Sequence, residues 1–258
     1  MSRSFGLLLL CLCFVAGCGD ENESKSSAET PETVTNEQQA DKTPVSTGKP
    51  GQVLRHAVFF KFKDGTSDEG AQEVADAFAA LPEKIDVIQE FKWGTNNSPE
   101  GLDDGYTHCF LLTFKDDAGR QAYIPHPDHA AFGAVLGKYR DLVFVIDYWA
   151  DPSDVELENE LKHAVFFKFK DDATPEAVKA IEDAFAALPE KIDTIKAFEW
   201  GINNSPEKKD EGFTHCFMVT FDSDAGRETY LPHPAHKEFV ELLKPSLDKV
   251  RVLDFFVE

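Results

Sequence analysis

The eight histidines are the residues of this chain best suited to chemistry, and all of them occur in matched pairs. The partners lie 107 positions apart (163 − 56), as His56 with His163, His108 with His215, His126 with His233, and His129 with His236. The same spacing joins Tyr123 to Tyr230. A neutral imidazole can accept a proton near pH 7, and a tyrosine hydroxyl can hydrogen-bond a carbonyl that is becoming an enolate. The pattern suits proton transfer, and no spacing typical of a Ser-His-Asp triad or a thiol nucleophile is evident.

Two strands and two helices must position these groups. Side chains at alternate positions of a strand share a face, so His56 and His108 are both expected on the sheet face that meets the helices. Tyr123 falls in a short helix, and His129 begins the next one. We expect these four side chains to converge on a mostly aromatic cavity between sheet and helices. The second copy offers the corresponding set of His163, His215, Tyr230 and His236.

Two other interpretations of the histidines remain open at this stage. Each histidine could be a core group whose ring is hydrogen-bonded to backbone, with Tyr123 merely packing. A metal site is a further alternative, because His126 and His129 lie three positions apart and His108 could join them. No Glu or Cys completes a recognisable ligand set, so we predict neither a metal nor a cofactor.

The histidine pairs belong to a repeat of about a hundred residues. His-Ala-Val-Phe-Phe-Lys-Phe-Lys begins at His56 and again at His163, and no gap is needed between the copies. A unit of this length is the size of a small domain and can bury its own core. We therefore predict repeat 1 over residues 51–150, a linker over 151–160 and repeat 2 over 161–258.

Each repeat shows the pattern strand, helix, strand, strand, helix, strand, which is typical of an α+β ferredoxin-like sheet with helices on one face. In repeat 1 the predicted elements are strand 55–63, helix 68–81, a short strand ending at Gly94, strand 106–114, a short helix 117–123, a helix after His126 and strand 142–149. The other sheet face is apolar as well, through Phe59, Cys109, Leu111 and Ile146. Two such sheets packed face to face would cover it, so we predict an intramolecular pseudo-dimer of repeat 1 with repeat 2.

Composition limits the partners. The formal net charge of −21 argues against nucleic-acid binding, and it disfavours docking on anionic lipid through a basic patch.

Cys109 and Cys216 occupy equivalent strand positions and are expected to be buried free thiols, although a disulfide is chemically possible in an exported protein.

The first fifty residues predict export and anchoring. Residues 1–17 resemble a signal peptide, with an apolar run that ends in Val15-Ala16-Gly17-Cys18. This ending looks like a bacterial lipobox, so Cys18 is the expected site of lipid attachment; an ordinary secretory signal is the alternative. Residues 18–50 are polar and predict a flexible tether. The expected location is the cell envelope, held to the membrane through the lipid alone.

Several motifs together resemble the stress-responsive α/β-barrel (Dabb) family. They are the strand beginning at His56, Trp93-Gly94, Gly105-Tyr106-Thr107-His108, the segment from Tyr123 to His129, and Asp147-Tyr148, and repeat 2 carries them again. The resemblance implies a ferredoxin-like unit that pairs into a barrel. In a plant polyketide cyclase of this family, which uses no cofactor, the key tyrosine and the key basic histidine correspond to Tyr123 with His129 and to Tyr230 with His236. Departures include Phe255 at the position of Tyr148 and Val240 at that of Gly133.

Three functions fit these observations. The leading hypothesis is a lipid-anchored tandem barrel that binds a small apolar ligand in a pocket lined by histidine and tyrosine. The first alternative is a cofactor-independent cyclase, lyase or isomerase with His129 and His236 as general bases. The second alternative is a structural or stress-protective protein whose barrels mediate self-association.

Overall fold

A computed structural model describes residues 47–153 and 155–258. Repeat 1 comprises β1 (Val53–Phe62), α1 (Asp68–Ala79), β2 (Ile88–Thr95), β3 (His108–Phe114), α2 (Asp117–Tyr123), α3 (Pro127–Tyr139) and β4 (Arg140–Ala150). Repeat 2 comprises β5 (Leu161–Phe169), α4 (Pro175–Ala186), β6 (Ala197–Ile202), β7 (His215–Phe221), α5 (Asp224–Tyr230), α6 (Pro234–Leu243) and β8 (Leu247–Phe256). The predicted signal peptide, Cys18 and nearly all of the predicted tether lie outside the described residues.

Each repeat forms one four-stranded antiparallel sheet. The strand orders are β2-β3-β1-β4 and β6-β7-β5-β8, which is the ferredoxin-like arrangement predicted from the sequence. In repeat 1 the central strand β1 pairs His56 with Leu112 of β3 and with Asp147 of β4. The equivalent pairs in repeat 2 join His163 to Val219 and Asp254. This register decides which side chains meet in the functional site.

The helices begin at capping side chains that the sequence supplies. Ser67 accepts a hydrogen bond from the amide of Gly70 at the start of α1, at 3.3 Å. Thr174 does the same for α4 and is followed by Pro175, a favoured first helical residue. The α1 helix then buries Val74 and Phe78 against the sheet. It ends at Ala79, two residues before the predicted end.

The two sheets pack against each other and share a core. This inter-sheet core contains Phe59 and Phe144 of repeat 1 beside Phe166 and Phe213 of repeat 2, and all four rings are buried. The Phe59 and Phe166 ring centroids are 5.1 Å apart. Cys109 and Cys216 lie in the same core as free thiols, and burial raises the pKa of both. The predicted intramolecular pseudo-dimer is confirmed.

Edge strands of one sheet lie against edge strands of the other, which covers their unpaired backbone groups. The amide of Glu258 donates to the carbonyl of Trp93 at 2.9 Å, so β2 meets the end of repeat 2. The amides of Asn97 and Asn204 donate to the carbonyls of Asp254 and Asp147 in the opposite repeat, each at 2.8 Å. The loop after each second strand is thereby fixed to the other repeat.

A buried ion-pair network joins the repeats near the linker. Arg55 contacts Glu199 at 2.9 Å, and both side chains are only 9% exposed. Lys162 bonds Thr220 at 2.9 Å and pairs with Glu160, where the linker meets β5. Burial opposes the charge of Arg55, yet the nearby carboxylates raise its pKa, so the guanidinium stays charged.

Within the described residues, no helix combines the length and apolar composition needed to cross a membrane.

Candidate functional site

A cavity of about 340 Å³, cavity 1, lies between the sheet of repeat 1 and the helices α2 and α3. Three of its polar residues are His56 from the centre of β1, Tyr123 from the end of α2, and His129 from the first turn of α3. The apolar wall is formed by Val58, Phe60, Phe78, Phe132, Leu136, Val143 and Val145. The structure therefore brings together three of the four groups that the sequence analysis placed here.

The hydroxyl of Tyr123 is buried and has no hydrogen-bond partner among the described residues. The hydroxyl of Tyr230 is in the same state in repeat 2. Burial, followed by the negative charge of a glutamate from the opposite repeat, raises both pKa values well above the ordinary range, so each hydroxyl keeps its proton. Buried tyrosine hydroxyls usually bond a protein group, so two unpaired ones at equivalent positions beside cavities are donors available to a ligand.

His129 is held as a neutral base beside this hydroxyl. Its Nδ1–H donates to the carbonyl of Ile124 at 2.9 Å, which leaves Nε2 as the acceptor in the neutral ring. Burial lowers the pKa of His129, which favours that neutral form. The ring packs on Tyr123 with a centroid distance of 4.3 Å. His236 repeats the arrangement, with 3.0 Å to the carbonyl of Leu231 and 4.3 Å to the ring of Tyr230.

His56 has a different partner and hence a different charge. Its Nδ1 donates to Asp147 Oδ1 at 2.6 Å, and Asp147 Oδ2 accepts from Arg120 at 2.8 Å. Burial disfavours the imidazolium, but the carboxylate of Asp147 overcomes this and raises the pKa of His56. Burial likewise opposes the charge of Asp147, whereas His56 and Arg120 lower its pKa. The amide oxygen of Asn204, from repeat 2, also accepts from Arg120, at 2.6 Å. The raised pKa therefore favours the protonated, positively charged form of His56 under the cavity.

Repeat 2 contains the equivalent cavity 2, with a smaller volume of about 150 Å³. Its polar groups include His163, Tyr230 and His236, and His163 bonds Asp254 at 2.7 Å. The size difference follows from wall substitutions, since Val240 fills the place that Gly133 leaves open in repeat 1. The remaining apolar wall of cavity 2 is formed by Val165, Phe167, Phe185, Phe239, Leu243, Leu247, Val250 and Val252.

A loop from the opposite repeat lines each cavity. Glu207 and Lys209 of repeat 2 line cavity 1, and the amide of Val145 donates to the carbonyl of Lys209 at 3.1 Å. Glu100 and Leu102 of repeat 1 line cavity 2 in the same way. Each site is therefore built from both repeats, which the sequence analysis did not predict.

The structure places His108 and His215 outside the residues that line the cavities, which corrects the expected convergence. In β3, His108 pairs with Phe60, whereas His56 pairs with Leu112 four residues further on, a separation of roughly 13 Å along the strand. His108 instead packs on Phe62, with centroids 4.9 Å apart. His215 bonds Glu182 at 3.0 Å. Both rings have pKa values lowered by burial.

His126 and His233 start helices. Each Nδ1 accepts the amide of the residue two positions on, at 3.2 Å, which caps α3 and α6 respectively. Among the described residues, no group of three or more His, Cys, Asp or Glu side chains is arranged to hold a metal ion.

The sequence pattern of the stress-responsive A/B barrel domain matches residues 54–150 and 161–257. The chain belongs to this family. The A/B barrel match covers both repeats separately, in agreement with the two sheets and two cavities seen in the structure.

Two relatives are similar to a single repeat of this chain. The stress-response A/B barrel domain-containing protein HS1 of Arabidopsis thaliana is 39% identical over 100 residues, which are 39% of this chain and 92% of that protein. Olivetolic acid cyclase of Cannabis sativa is 30% identical over 95 residues, which are 37% of this chain and 94% of the cyclase. Among solved structures, an anthrone oxidase-like protein superposes with a TM-score of 0.57 at 12% identity, covering 83% of this chain and 94% of its own. That likeness shows the shared fold alone.

Sequence reasoning missed the residues that support the A/B barrel cavities. Asp147 bonds His56, Arg120 bonds Asp147, and Asn204 bonds Arg120. Glu207 lies 3.9 Å from His56 Nε2, yet none of these four residues was singled out as part of the site. A signal was present, because each of the four has an identical residue 107 positions away. Identity between two copies of a repeat marks shared constraints as well as shared function, so this signal alone could not assign roles.

Proposed function

We propose that each A/B barrel repeat of this protein binds a small, mainly apolar ligand that carries an oxygen atom able to accept a hydrogen bond. The observation that carries the proposal is the buried, unpaired hydroxyl of Tyr123 and of Tyr230, each beside a cavity. Such a hydroxyl loses hydrogen-bonding free energy until a ligand oxygen accepts from it. The aliphatic and aromatic walls select an apolar body for that ligand.

Native mass spectrometry of the protein purified from its producing cells tests this proposal. We expect the wild-type protein to carry a small molecule, and the Tyr123→Phe, Tyr230→Phe double variant to have lost most of it. Tyr139→Phe is the control, because the Tyr139 hydroxyl bonds Glu73 on the exposed surface at 2.5 Å. A bound molecule that the double variant retains in full, or a wild-type protein as empty as the variant, contradicts the proposal.

A second candidate function is proton transfer, without a cofactor, on a bound ligand whose acceptor oxygen is a carbonyl. The observation that favours it is the neutral His129, whose Nε2 is the acceptor and whose ring packs on Tyr123. A base and a hydrogen-bond donor at one ligand would abstract an α-proton and stabilise the resulting enolate. Similarity to a protein named as a cyclase supports chemistry of this class.

Deuterium exchange separates catalysis from binding. We expect the wild-type protein to accelerate exchange of the α-protons of acetophenone in D2O, followed by NMR, and His129→Ala with His236→Ala to reduce that rate by about 10²-fold or more. Ligand affinity should change only modestly in the same variant. Exchange in the wild-type sample that does not exceed the rate in buffer would leave binding alone as the function.

We also propose that the protein is a lipoprotein of the cell envelope, anchored through Cys18. The support is the lipobox-like ending Val15-Ala16-Gly17-Cys18 after an apolar run. Cys18→Ser should move the protein from the membrane fraction to the soluble fraction after export, because a serine cannot form the thioether-linked lipid. Equal membrane retention of the wild-type protein and the variant would overturn this assignment.

A further inference from the structure

The two cavities differ in whether the glutamate that lines them has a cationic partner, and the repeat allows equivalent residues to be compared. The carboxylate of Glu207, which lines cavity 1, accepts from Lys209 Nζ at 2.6 Å, so its charge already has a partner. In cavity 2 the equivalent residues are Glu100 and Leu102, and a leucine cannot compensate a carboxylate. The equivalent glutamates therefore differ: the carboxylate of Glu207 has a cationic partner next to cavity 1, whereas Glu100 has no such partner at the equivalent position of cavity 2.

Glu100 is a partly buried carboxylate without a hydrogen bond from the described residues to its inner oxygen. Its Oε1 atom is inaccessible to solvent and lacks a hydrogen-bond partner. The nearest cationic atom, His163 Nδ1, is 3.9 Å away, beyond hydrogen-bond range, and that nitrogen already bonds Asp254. Burial raises the pKa of Glu100 accordingly. An unpaired acceptor of this kind costs free energy that a ligand donor could recover.

The loop that carries Glu100 is fastened to repeat 2, so the carboxylate is held at the cavity. The amide of Val252 donates to the carbonyl of Leu102 at 3.1 Å. On the other side of Glu100, Asn97 Oδ1 accepts from Arg227 at 2.7 Å. These bonds on both sides of Glu100 fix its backbone relative to Tyr230.

We propose that Glu100 is a ligand-binding residue of cavity 2 and that this cavity takes a small aromatic or aliphatic alcohol. A hydroxyl group is the chemical match, because it can accept from Tyr230 and donate to Glu100 at the same time. An ether or a ketone can accept a hydrogen bond from Tyr230 but cannot donate one to Glu100. An ammonium group can donate to Glu100 but cannot accept from Tyr230. The inference rests on the proposed function, since it needs cavity 2 to hold a ligand, and it narrows the ligand class of that cavity.

Size supports an aromatic probe. A cavity of about 150 Å³ lined by Leu, Ile and Phe is large enough for a benzene-sized molecule in a protein interior, and cavity 2 has this volume. Phenol and anisole are therefore suitable probes. Both can accept from Tyr230, but only phenol can donate to Glu100.

The test is an NMR titration of the full chain with phenol and with anisole, followed at the methyl groups of Leu247 and Val250 in cavity 2. We expect phenol to bind about tenfold more tightly than anisole, the effect of one charge-assisted hydrogen bond. Glu100→Leu should abolish this preference and leave anisole binding intact, and Glu100→Gln, which keeps an acceptor oxygen, should retain part of it. Glu207→Leu is the matched control and should not alter the preference at cavity 2.

The outcomes separate this inference from the function on which it rests. Equal affinities for phenol and anisole in the wild-type protein, or a preference that survives Glu100→Leu, overturn the role of Glu100 while ligand binding stands. If neither probe shifts the Leu247 and Val250 signals, ligand binding by cavity 2 fails together with the role of Glu100. A Glu100→Leu variant that loses anisole as well would show a structural role for Glu100 and would contradict the inference.

Discussion

Two histidines line cavity 1, and their hydrogen-bond partners give them different charges. His129 donates to a backbone carbonyl, which does not stabilise an imidazolium strongly enough to offset burial, so the ring is neutral. His56 donates to the carboxylate of Asp147, which holds a proton on the ring. One site therefore combines a histidine whose neutral form is favoured with a histidine whose charged form is favoured. For the proposed proton-transfer function, we therefore propose that His129 abstracts the proton and that His56 stabilises the ligand or its enolate.

Asp147→Asn should destabilise the protein by about 3 kcal/mol or more, because it leaves His56 and Arg120 without their buried counter-charge. The raised pKa of His56 contributes stability that is full below about pH 6.5 and is lost as pH rises through that raised value. The lowered pKa of Asp147 contributes stability that is present above about pH 3.9 and is lost as pH falls through the lowered value. The variant should therefore differ most from wild type between these limits.

Urea unfolding at several pH values measures this effect. The control is Asp128→Asn, which removes the carboxylate from the His126–Asp128 pair, whose side chains are 32% and 43% exposed. An exposed pair contributes little, so we expect a change within about 1 kcal/mol and no altered pH dependence. If Asp147→Asn behaves like this control, the ion pair is not what holds His56 charged.

At the scale of elements, the alternation of apolar residues predicted the strands and helices because both periods were clear in each copy. It could not predict the register, which depends on how β1, β3 and β4 align across the sheet. His56 and His108 were therefore expected at one cavity, although four residues of β3 separate their positions. The sequence also suggested that the second strand ends at Gly94, whereas β2 continues to Thr95. The glycine marks a close approach between strands of different repeats.

Gly201, the counterpart of Gly94, offers a test of this approach. An added Cβ would lie 2.7 Å from the Cβ of Tyr148 and 2.9 Å from the carbonyl oxygen of Trp149, both in repeat 1. Because a backbone atom cannot move away cheaply, Gly201→Ala should destabilise the protein by about 1–3 kcal/mol in urea unfolding. Gly137→Ala is the control, since its Cβ would meet nothing within 4 Å and should stabilise α3 by up to about 1 kcal/mol. Equal effects of the two substitutions would refute the close-approach explanation.

At the scale of the whole molecule, fusing two repeats in one chain allows the two sites to differ. A symmetric dimer of identical chains must carry the same wall and the same covering loop at both cavities. In this chain, Gly133 of cavity 1 corresponds to Val240 of cavity 2, and Lys209 of cavity 1 corresponds to Leu102 of cavity 2. The two cavities therefore differ in both volume and charge. The tyrosine, the base and the buried ion pair are kept in both copies. We propose that the residues kept in both copies provide a shared mode of binding and that the residues that differ select different ligands.

The measurement that tests the central claim most directly is an NMR titration of the full chain with acetophenone and with ethylbenzene, two probes of similar size. Because the tyrosine hydroxyl is unpaired and can donate to the ketone oxygen, the cavity should bind acetophenone about tenfold more tightly than ethylbenzene. Tyr123→Phe with Tyr230→Phe should remove that preference and leave the hydrocarbon affinity nearly unchanged. Equal affinities in the wild-type protein, or no binding of either probe at the cavity residues, would contradict the assignment of these cavities as ligand sites.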